Sequence, residues 1–295
     1  MKYIFGPIAS RRFGISLGVD LSSGRKRCNF DCIYCELEKA KRVDIYDNPP
    51  DYKEILDEIK IATKKYEFDV LTITSNGEPT LYPYLDELVD NLKEHKLLIL
   101  SNSSTIYKKN IQKTLKKFDI VKLSLDAVSE DIFKKIDRPL NVDINDIING
   151  IIEFRRVYNK ELIIEILVVK GINDKEEEFE KLNEVLKKIK PNRIDISTID
   201  RPPAYNVEPV SIKKLFELSK KITNQCVFIP TREKLQFKYE LNKNELLNTL
   251  KKRPFSESDV NILDEKSLKI FNDLLKENML EEIWVGGIKF YKALV

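Results

Sequence analysis

The chain has 295 residues, of which 42% are hydrophobic and 34% charged. That apolar share excludes a disordered chain and is enough for one large α/β domain with a small second one. With 51 Lys and Arg against 48 Asp and Glu, the net charge of +3 does not by itself select nucleic acid as a partner. No run of about 18 apolar residues occurs, so no membrane span is expected. Met1 to Pro7 breaks before any apolar core, which argues against a signal peptide. Four cysteines with no disulfide framework fit a reducing cytosol, so a cytoplasmic protein without a membrane partner is expected.

In chain order, residues 1–14 read as irregular, with Gly6-Pro7 as a turn. Ser10-Arg11-Arg12-Phe13-Gly14 reads as a basic turn, either solvated or gripping an anion with its arginine forks. Ile15 to Leu21 alternates with period two and predicts a strand. Ser22-Ser23-Gly24 ends it, and Arg25-Lys26-Arg27 leads into Cys28-Asn29-Phe30-Asp31-Cys32-Ile33-Tyr34-Cys35. From residue 50 strands and helices alternate. The spacing predicts helices over Tyr52–Tyr66, about 83–95, about 107–117, up to about 158 with a break near Arg138-Pro139, about 174–189 and about 211–222. Strands are predicted at Val70–Thr74, Leu97–Leu100, Ile120–Leu125, Leu162–Val169 and Arg193–Ile199. Six β/α units predict an α/β fold, an open six-stranded partial (β/α)6 barrel of the TIM type over residues 1–222.

In such a fold ligands gather beyond the strand C-termini. The polar residues there are Asn76, Gly77, Glu78 and Pro79, then Asn102, Ser124 and Asp126, and finally Lys170, Asn173 and Thr198. Arg138 follows the helix break. His95 reads as a surface residue at a helix end, and Cys226 as a buried strand residue beside Val227, Phe228 and Ile229. Tyr82, Tyr205 and Tyr239 could supply a second hydrogen donor, and none stands out.

Residues 223–241 look like a bridge, with Cys226–Ile229 and Leu235–Tyr239 strand-like. Helices are predicted at Asn242–Lys252 and Ser267–Asn278, with a short one capped by Ser256 and Asp259 between them. Ile283-Trp284-Val285 and Ile288 to Tyr291 flank Gly286-Gly287, a hairpin signal. Three helices and a hairpin resemble a winged helix-turn-helix domain over 242–295. That domain would bind nucleic acid through helix 267–278 and the wing. It would equally serve as a protein-docking or lid domain, because Lys266, Lys269 and Lys276 are offset by Asp264, Glu265, Asp273 and Glu277.

The C-x3-C-x2-C run at Cys28, Cys32 and Cys35 concentrates three of the four cysteines in eight residues. Thiolates favour soft metals and iron–sulfur clusters. A structural zinc site wants four ligands, and only the isolated Cys226 and His95 remain. A C-x2-C redox pair leaves Cys28 unexplained. The spacing, with Tyr34 just before the third cysteine, resembles the signature of the radical S-adenosylmethionine (radical SAM) superfamily.

The resemblance implies that Cys28, Cys32 and Cys35 hold a [4Fe–4S] cluster whose open iron binds SAM. Reduction by an external donor of the flavodoxin or ferredoxin type would then release a 5′-deoxyadenosyl radical. It implies that Tyr34 lies near the adenine and that Asn76-Gly77-Glu78-Pro79 resembles the Gly-Gly-Glu motif that holds the SAM amino group. It further implies that Ser124 and Asp126 contact the ribose and that Arg138 reaches the SAM carboxylate or the substrate. Gly6-Pro7, Ser10 to Gly14 and Leu17-Gly18-Val19-Asp20, ahead of Cys28, resemble a narrower prokaryotic group labelled as related to the wyosine (tRNA) synthetases. RNA, tRNA in particular, is therefore the first expected substrate. A protein or peptide side chain is the second. A non-enzyme alternative is a thiolate-metal sensor that binds DNA through the winged helix. No second three-cysteine set exists, so no auxiliary cluster is expected.

Overall fold

The computed structural model describes residues 1–10, 12–22, 24–230, 238, 240–285 and 288–294. Arg11, Ser23, Tyr239, the Gly286-Gly287 turn and all of the strand-like Leu235–Tyr239 stretch except Lys238 lie outside the described residues.

The chain begins with β1 (Ile4–Ser10) and β2 (Gly14–Asp20), which pair antiparallel. The first fourteen residues are thus not irregular. The register shifts between Phe5 and Ile8, and Pro7 there has no N–H to give; an edge strand tolerates both, but together they erase the alternation in the sequence. Next come α1 (Tyr52–Lys65), β3 (Val70–Thr74), a 3-10 turn at Pro79–Leu81, α2 (Leu85–Asp90), β4 (Leu97–Ser101), α3 (Lys109–Leu115) and β5 (Ile120–Ser124). They are followed by α4 (Glu130–Ile136), α5 (Ile144–Val157), β6 (Glu161–Val168), α6 (Glu176–Ile189), β7 (Arg193–Thr198), α7 (Ile212–Ser219) and β8 (Val227–Phe228).

Strands β2 to β8 are parallel and ordered as in the sequence, with β1 and β8 at the two edges. The expected six β/α strands are β2 to β7. The sheet curls, because Arg12, from the turn before β2, reaches Glu165 on β6 at 3.1 Å and Asp195 on β7 at 3.2 Å. The α/β fold with a mostly parallel sheet is therefore an open barrel. Alternate strand positions divide the core. Val121 and Leu123 of β5 pack outward under the helices, while Ile120 joins Val70, Leu98, Ile163 and Phe13 in an inner plug. Beside the plug, Lys122 is 4% exposed and lies 2.6 Å from Glu165 and 3.4 Å from Asp195. Burial lowers the Lys122 pKa, whereas Lys122 and Arg12 overcome burial to hold Glu165 below its ordinary value.

Helix α2 stops at Asp90, five residues short of the expected end. His95 is therefore not a helix terminus. It is half-buried in the next turn, 5.8 Å from the Phe68 ring. Cys226 is exposed rather than buried. Val227 and Phe228 pair with β7 at the sheet edge, and Cys226 O accepts from Ile194 N at 2.8 Å while its side chain faces solvent.

The C-terminal segment forms α8 (Lys243–Lys252), β9 (Phe255–Ser256), α9 (Glu257–Val260), α10 (Glu265–Lys276), β10 (Leu280–Val285) and β11 (Ile288–Ala293). Strands β10, β11 and β9 make a second, antiparallel sheet. Capping boxes start α8 (Asn242 with Glu245) and α9 (Ser256 with Asp259). Its core of Leu246, Leu250, Phe255, Phe271 and Leu274 includes Ala9 of β1, so the two parts share packing. Among the described residues no helix is long and apolar enough to cross a membrane.

Candidate cluster and cofactor site

The cysteine loop follows β2 and is held by the loops after four other strands. After β3, Arg27 N donates to Asn76 O and Glu78 N to Arg27 O, both at 2.8 Å. Gly77 has φ +137°, and a Cβ there would stand 1.9 Å from Arg27 O, so only glycine lets the two backbones meet. After β4, Asn102 Nδ2 (3.2 Å) and Ser104 Oγ (2.9 Å) donate to Asn29 Oδ1. After β5, the end of α4 accepts Asp31 N at Asp137 O (3.0 Å) and Ile33 N at Ile136 O (2.9 Å). After β7, Ala204 N donates to Cys35 O at 2.8 Å, and Arg201 pairs with Glu36 at 2.7 Å.

The three thiols are half-buried and free of disulfides. Donors face two of them. Phe30 N is 3.4 Å and Asn102 Nδ2 3.5 Å from Cys28 Sγ, and Lys26 Nζ is 3.3 Å from Cys35 Sγ. Burial pushes Cys28 up to about 12 and raises Cys32 and Cys35.

Among the described residues no three His, Cys, Asp or Glu side chains come together as a site for one metal ion. Thiolates are the ligands that iron–sulfur clusters take, and Cys28, Cys32 and Cys35, free thiols of one loop, are the residues that could hold a [4Fe–4S] cluster.

Around the loop, Glu78 is 1% exposed. Its Oε1 accepts from Thr80 N (3.0 Å), Thr80 Oγ1 (2.5 Å) and Ser101 Oγ (2.8 Å), and its Oε2 from Asn102 N (2.7 Å). Burial raises its pKa. Asn76 and Pro79 stand either side of this turn; Asn76 N donates to Asp20 Oδ1 at 2.9 Å. Tyr34 OH donates to Asp126 Oδ2 at 2.5 Å, and Leu167 N to Asp126 Oδ1 at 2.7 Å. Ser124 is half-buried at the end of β5. Arg138 stacks on the Tyr205 ring (4.5 Å) and reaches Asp31 at 3.4 Å. Tyr205 OH also donates to Asp31 Oδ2 at 2.6 Å, while the buried Asp31 Oδ1 has no hydrogen-bond partner among the described residues.

Three expected positions stand apart. Lys170 is exposed and pairs with Glu208 at 2.5 Å. Thr198 Oγ1 clips the backbone, donating to Val168 O (2.7 Å) and accepting from Val210 N (3.0 Å). Asn173 is fully buried; it donates to Asp126 O (2.8 Å) and Leu167 O (2.9 Å) and accepts from Val169 N (2.8 Å), so it fixes the loops that carry Asp126.

Sequence reasoning missed Asp137. Buried beside Asp126, it accepts from Cys32 Sγ at 3.2 Å. Burial and then the Asp126 charge hold its pKa well above the ordinary range. The signal was present. Asp137 is the C-cap of α4, where the helix dipole disfavours a carboxylate, so it needed another partner. Sequence reasoning also missed the Glu36–Arg201 pair, whose partners are 165 positions apart.

A cavity of about 900 Å³ adjoins the loop, lined by β1, β2, residues 24–27 and 36–41, and the end of α8. Among its described residues, Lys and Arg outnumber Asp and Glu thirteen to three.

The Radical SAM superfamily model matches residues 25–183, more than half of the chain. A UPF0026 protein of Helicobacter pylori (strain J99 / ATCC 700824) is 41% identical over 302 residues, covering 99% of this chain and 98% of that protein. Two solved structures share the fold alone. TYW1 with a lysine-pyruvate adduct bound matches at TM-score 0.52 and 21% identity, covering 71% of this chain and 74% of that one. Streptococcus suis SuiB bound to precursor peptide SuiA matches at TM-score 0.56 and 19% identity, covering 70% and 47%. The wyosine connection thus stays a distant structural resemblance, and the regulator alternative falls. The chain belongs to the Radical SAM superfamily and is an enzyme of that superfamily, which works with a [4Fe–4S] cluster and S-adenosylmethionine.

Proposed function

We propose that this enzyme modifies a macromolecule, RNA first and tRNA in particular, with Cys28, Cys32 and Cys35 holding the cluster. Held there, the cluster would supply one-electron reduction of SAM, with the electron drawn from a flavodoxin- or ferredoxin-type donor. Glu78 Oε2, which accepts from Asn102 N, has acceptor capacity left to take the SAM ammonium. Asp126 and Ser124 serve the ribose, Tyr34 the adenine side, and Asn102 keeps Cys28 and Asn29 in register. Arg138 and Asp31 Oδ1 supply the remaining polar contacts. The order of the C-terminal helices and hairpin supports reading residues 242–295 as a winged-helix domain.

The observation that carries the RNA reading is the cavity's excess of cations beside the cysteine loop, which a polyanion would neutralise. The test uses reconstituted, dithionite-reduced protein with SAM. 5′-Deoxyadenosine formation should rise above the substrate-free rate on adding small cellular RNA and stay at that rate with a peptide pool. A rise with peptides alone would overturn the RNA reading.

A further inference from the structure

The cavity has two walls, from parts of the chain distant in sequence. β1, β2 and the cysteine loop make one; the end of α8 and the end of β11 make the other. The walls are fastened together. Gly6 N donates to Thr249 Oγ1 at 3.2 Å, Asn248 Nδ2 donates to Ile4 O at 2.8 Å, and Lys252 pairs with Asp20. The C-terminal elements are therefore a fixed wall rather than a tethered module.

On the first wall, the far end of the Phe5 ring rests on Gly18. A Cβ at position 18 would stand 2.3 Å from Phe5 Cζ, so the missing side chain is what seats the ring. Phe5 is half-buried, lines the cavity, and has Lys252 Nζ 5.9 Å from its centroid. The cations around it fall into two groups. Lys252, Arg253 and Arg201 are matched by Asp20, Asp259 and Glu36. Arg25 and Lys41 on one wall, and Lys251 and Lys292 on the other, have no acidic partner among the described residues.

An aromatic face inside a cleft edged by unpaired cations is how single-stranded nucleic acid is held. Bases stack on the ring while the cations follow the phosphates. Enzymes that react with a base first take it out of the stack, and RNA recognition favours such splayed bases. A cavity of about 900 Å³ accommodates one. An acidic peptide would use the cations but not the ring.

We infer that the cavity receives one unstacked base of an RNA strand on Phe5, with flanking phosphates on Arg25 and Lys41 from one wall and Lys251 and Lys292 from the other. The inference rests on the RNA reading above and moves the contact surface away from α10. On that helix, Lys276 lies 4.0 Å from Asp273, and Lys266 3.3 Å from Glu240.

The test measures binding of the reconstituted enzyme to a fluorescein-labelled 12-nucleotide single-stranded RNA and to bulk tRNA across a salt series. Polyglutamate serves as competitor. Lys251→Gln/Lys292→Gln should lower the magnitude of the log–log salt slope by about 1.4, two single-strand phosphates' worth. Phe5→Leu should weaken binding about tenfold with the slope unchanged. Lys269→Gln/Lys276→Gln should change neither, and iron content and melting temperature certify each variant. RNA bound equally by the wild type and the first two variants, but weakened by the α10 pair, would overturn the inference and leave the RNA reading standing. No binding of either RNA by the wild type would overturn both. Polyglutamate displacing the 12-mer at equal charge, with Phe5→Leu silent, would overturn the base site in favour of an acidic peptide.

Discussion

Gly77→Ala tests whether the loop after β3 sets the cysteine loop in place. Gly77 has φ +137°, a region that L side chains avoid, and the added Cβ would lie 1.9 Å from Arg27 O and 2.4 Å from Arg27 C. Both atoms are backbone, so no rotamer relieves the clash. The backbone conformation alone costs ~1–3 kcal/mol. Parting the loops also breaks the two 2.8 Å bonds that join Arg27 to Asn76 and Glu78, worth ~1 kcal/mol each.

The expected loss is ~3–5 kcal/mol, or about 5–8 °C in melting temperature at the unfolding entropy of a chain this long. Cys28 is the next residue after Arg27, so iron binding should fail as well. Gly171→Ala is the control. Its φ is +77° but nothing lies within 4 Å of the added Cβ, so only ~1–2 kcal/mol of backbone cost applies and iron loading should be normal. Calorimetry of the metal-free proteins and iron analysis after anaerobic reconstitution read both effects. Equal melting shifts in the two variants, or normal iron in Gly77→Ala, would refute the reasoning.

Three further outcomes are expected. Cys226→Ser should leave iron content intact and stability within ~0.5 kcal/mol, because the thiol is exposed, whereas Cys32→Ala should abolish cluster assembly; iron and sulfide analysis distinguishes them. Asn173→Ala orphans the buried Val169 N, Asp126 O and Leu167 O and should destabilise by ~3–5 kcal/mol in urea unfolding. Lys117 holds Asp86 and Asp90 below their ordinary pKa by hydrogen bonding. Their stabilisation is complete above the unfolded value of about 3.9 and is lost as pH falls through the lower folded values. Both carboxylates are more than a third exposed, so screening keeps this below about 1 kcal/mol. In urea unfolding, wild type should be more stable than Lys117→Met at pH 7, and the gap should close as pH falls below the unfolded value of about 3.9 and through the lower folded values.

The legible parts of this protein were those with local causes. The cysteine spacing, the β/α alternation and the Gly77-Glu78-Pro79 turn each carry their chemistry within a few residues, and the sheet order β2 to β7 followed from alternation alone. What escaped depends on distant partners. Strand β1 is held by pairing with β2 and by packing against α8, which no periodicity in its own seven residues reveals. Cys226 sits in an apolar stretch that promises burial, but it stands just before a two-residue edge strand and is exposed. Lys170, Thr198 and Asn173 share a strand-end position with Asp126, yet rotation at the strand end sends them to Glu208, to the backbone and to Asp126's own loop. Position after a strand selects candidates; side-chain direction decides among them.

The central claim is that Cys28, Cys32 and Cys35 hold a [4Fe–4S] cluster that binds SAM. The most direct measurement is electron paramagnetic resonance of the anaerobically reconstituted, dithionite-reduced protein before and after SAM, with 5′-deoxyadenosine assayed in the same sample. The account predicts about four irons per chain, a reduced-cluster signal that changes on adding SAM, production of 5′-deoxyadenosine, and loss of all three in Cys32→Ala. One tightly bound zinc with no cluster signal, or a cluster that survives Cys32→Ala unchanged, would contradict it.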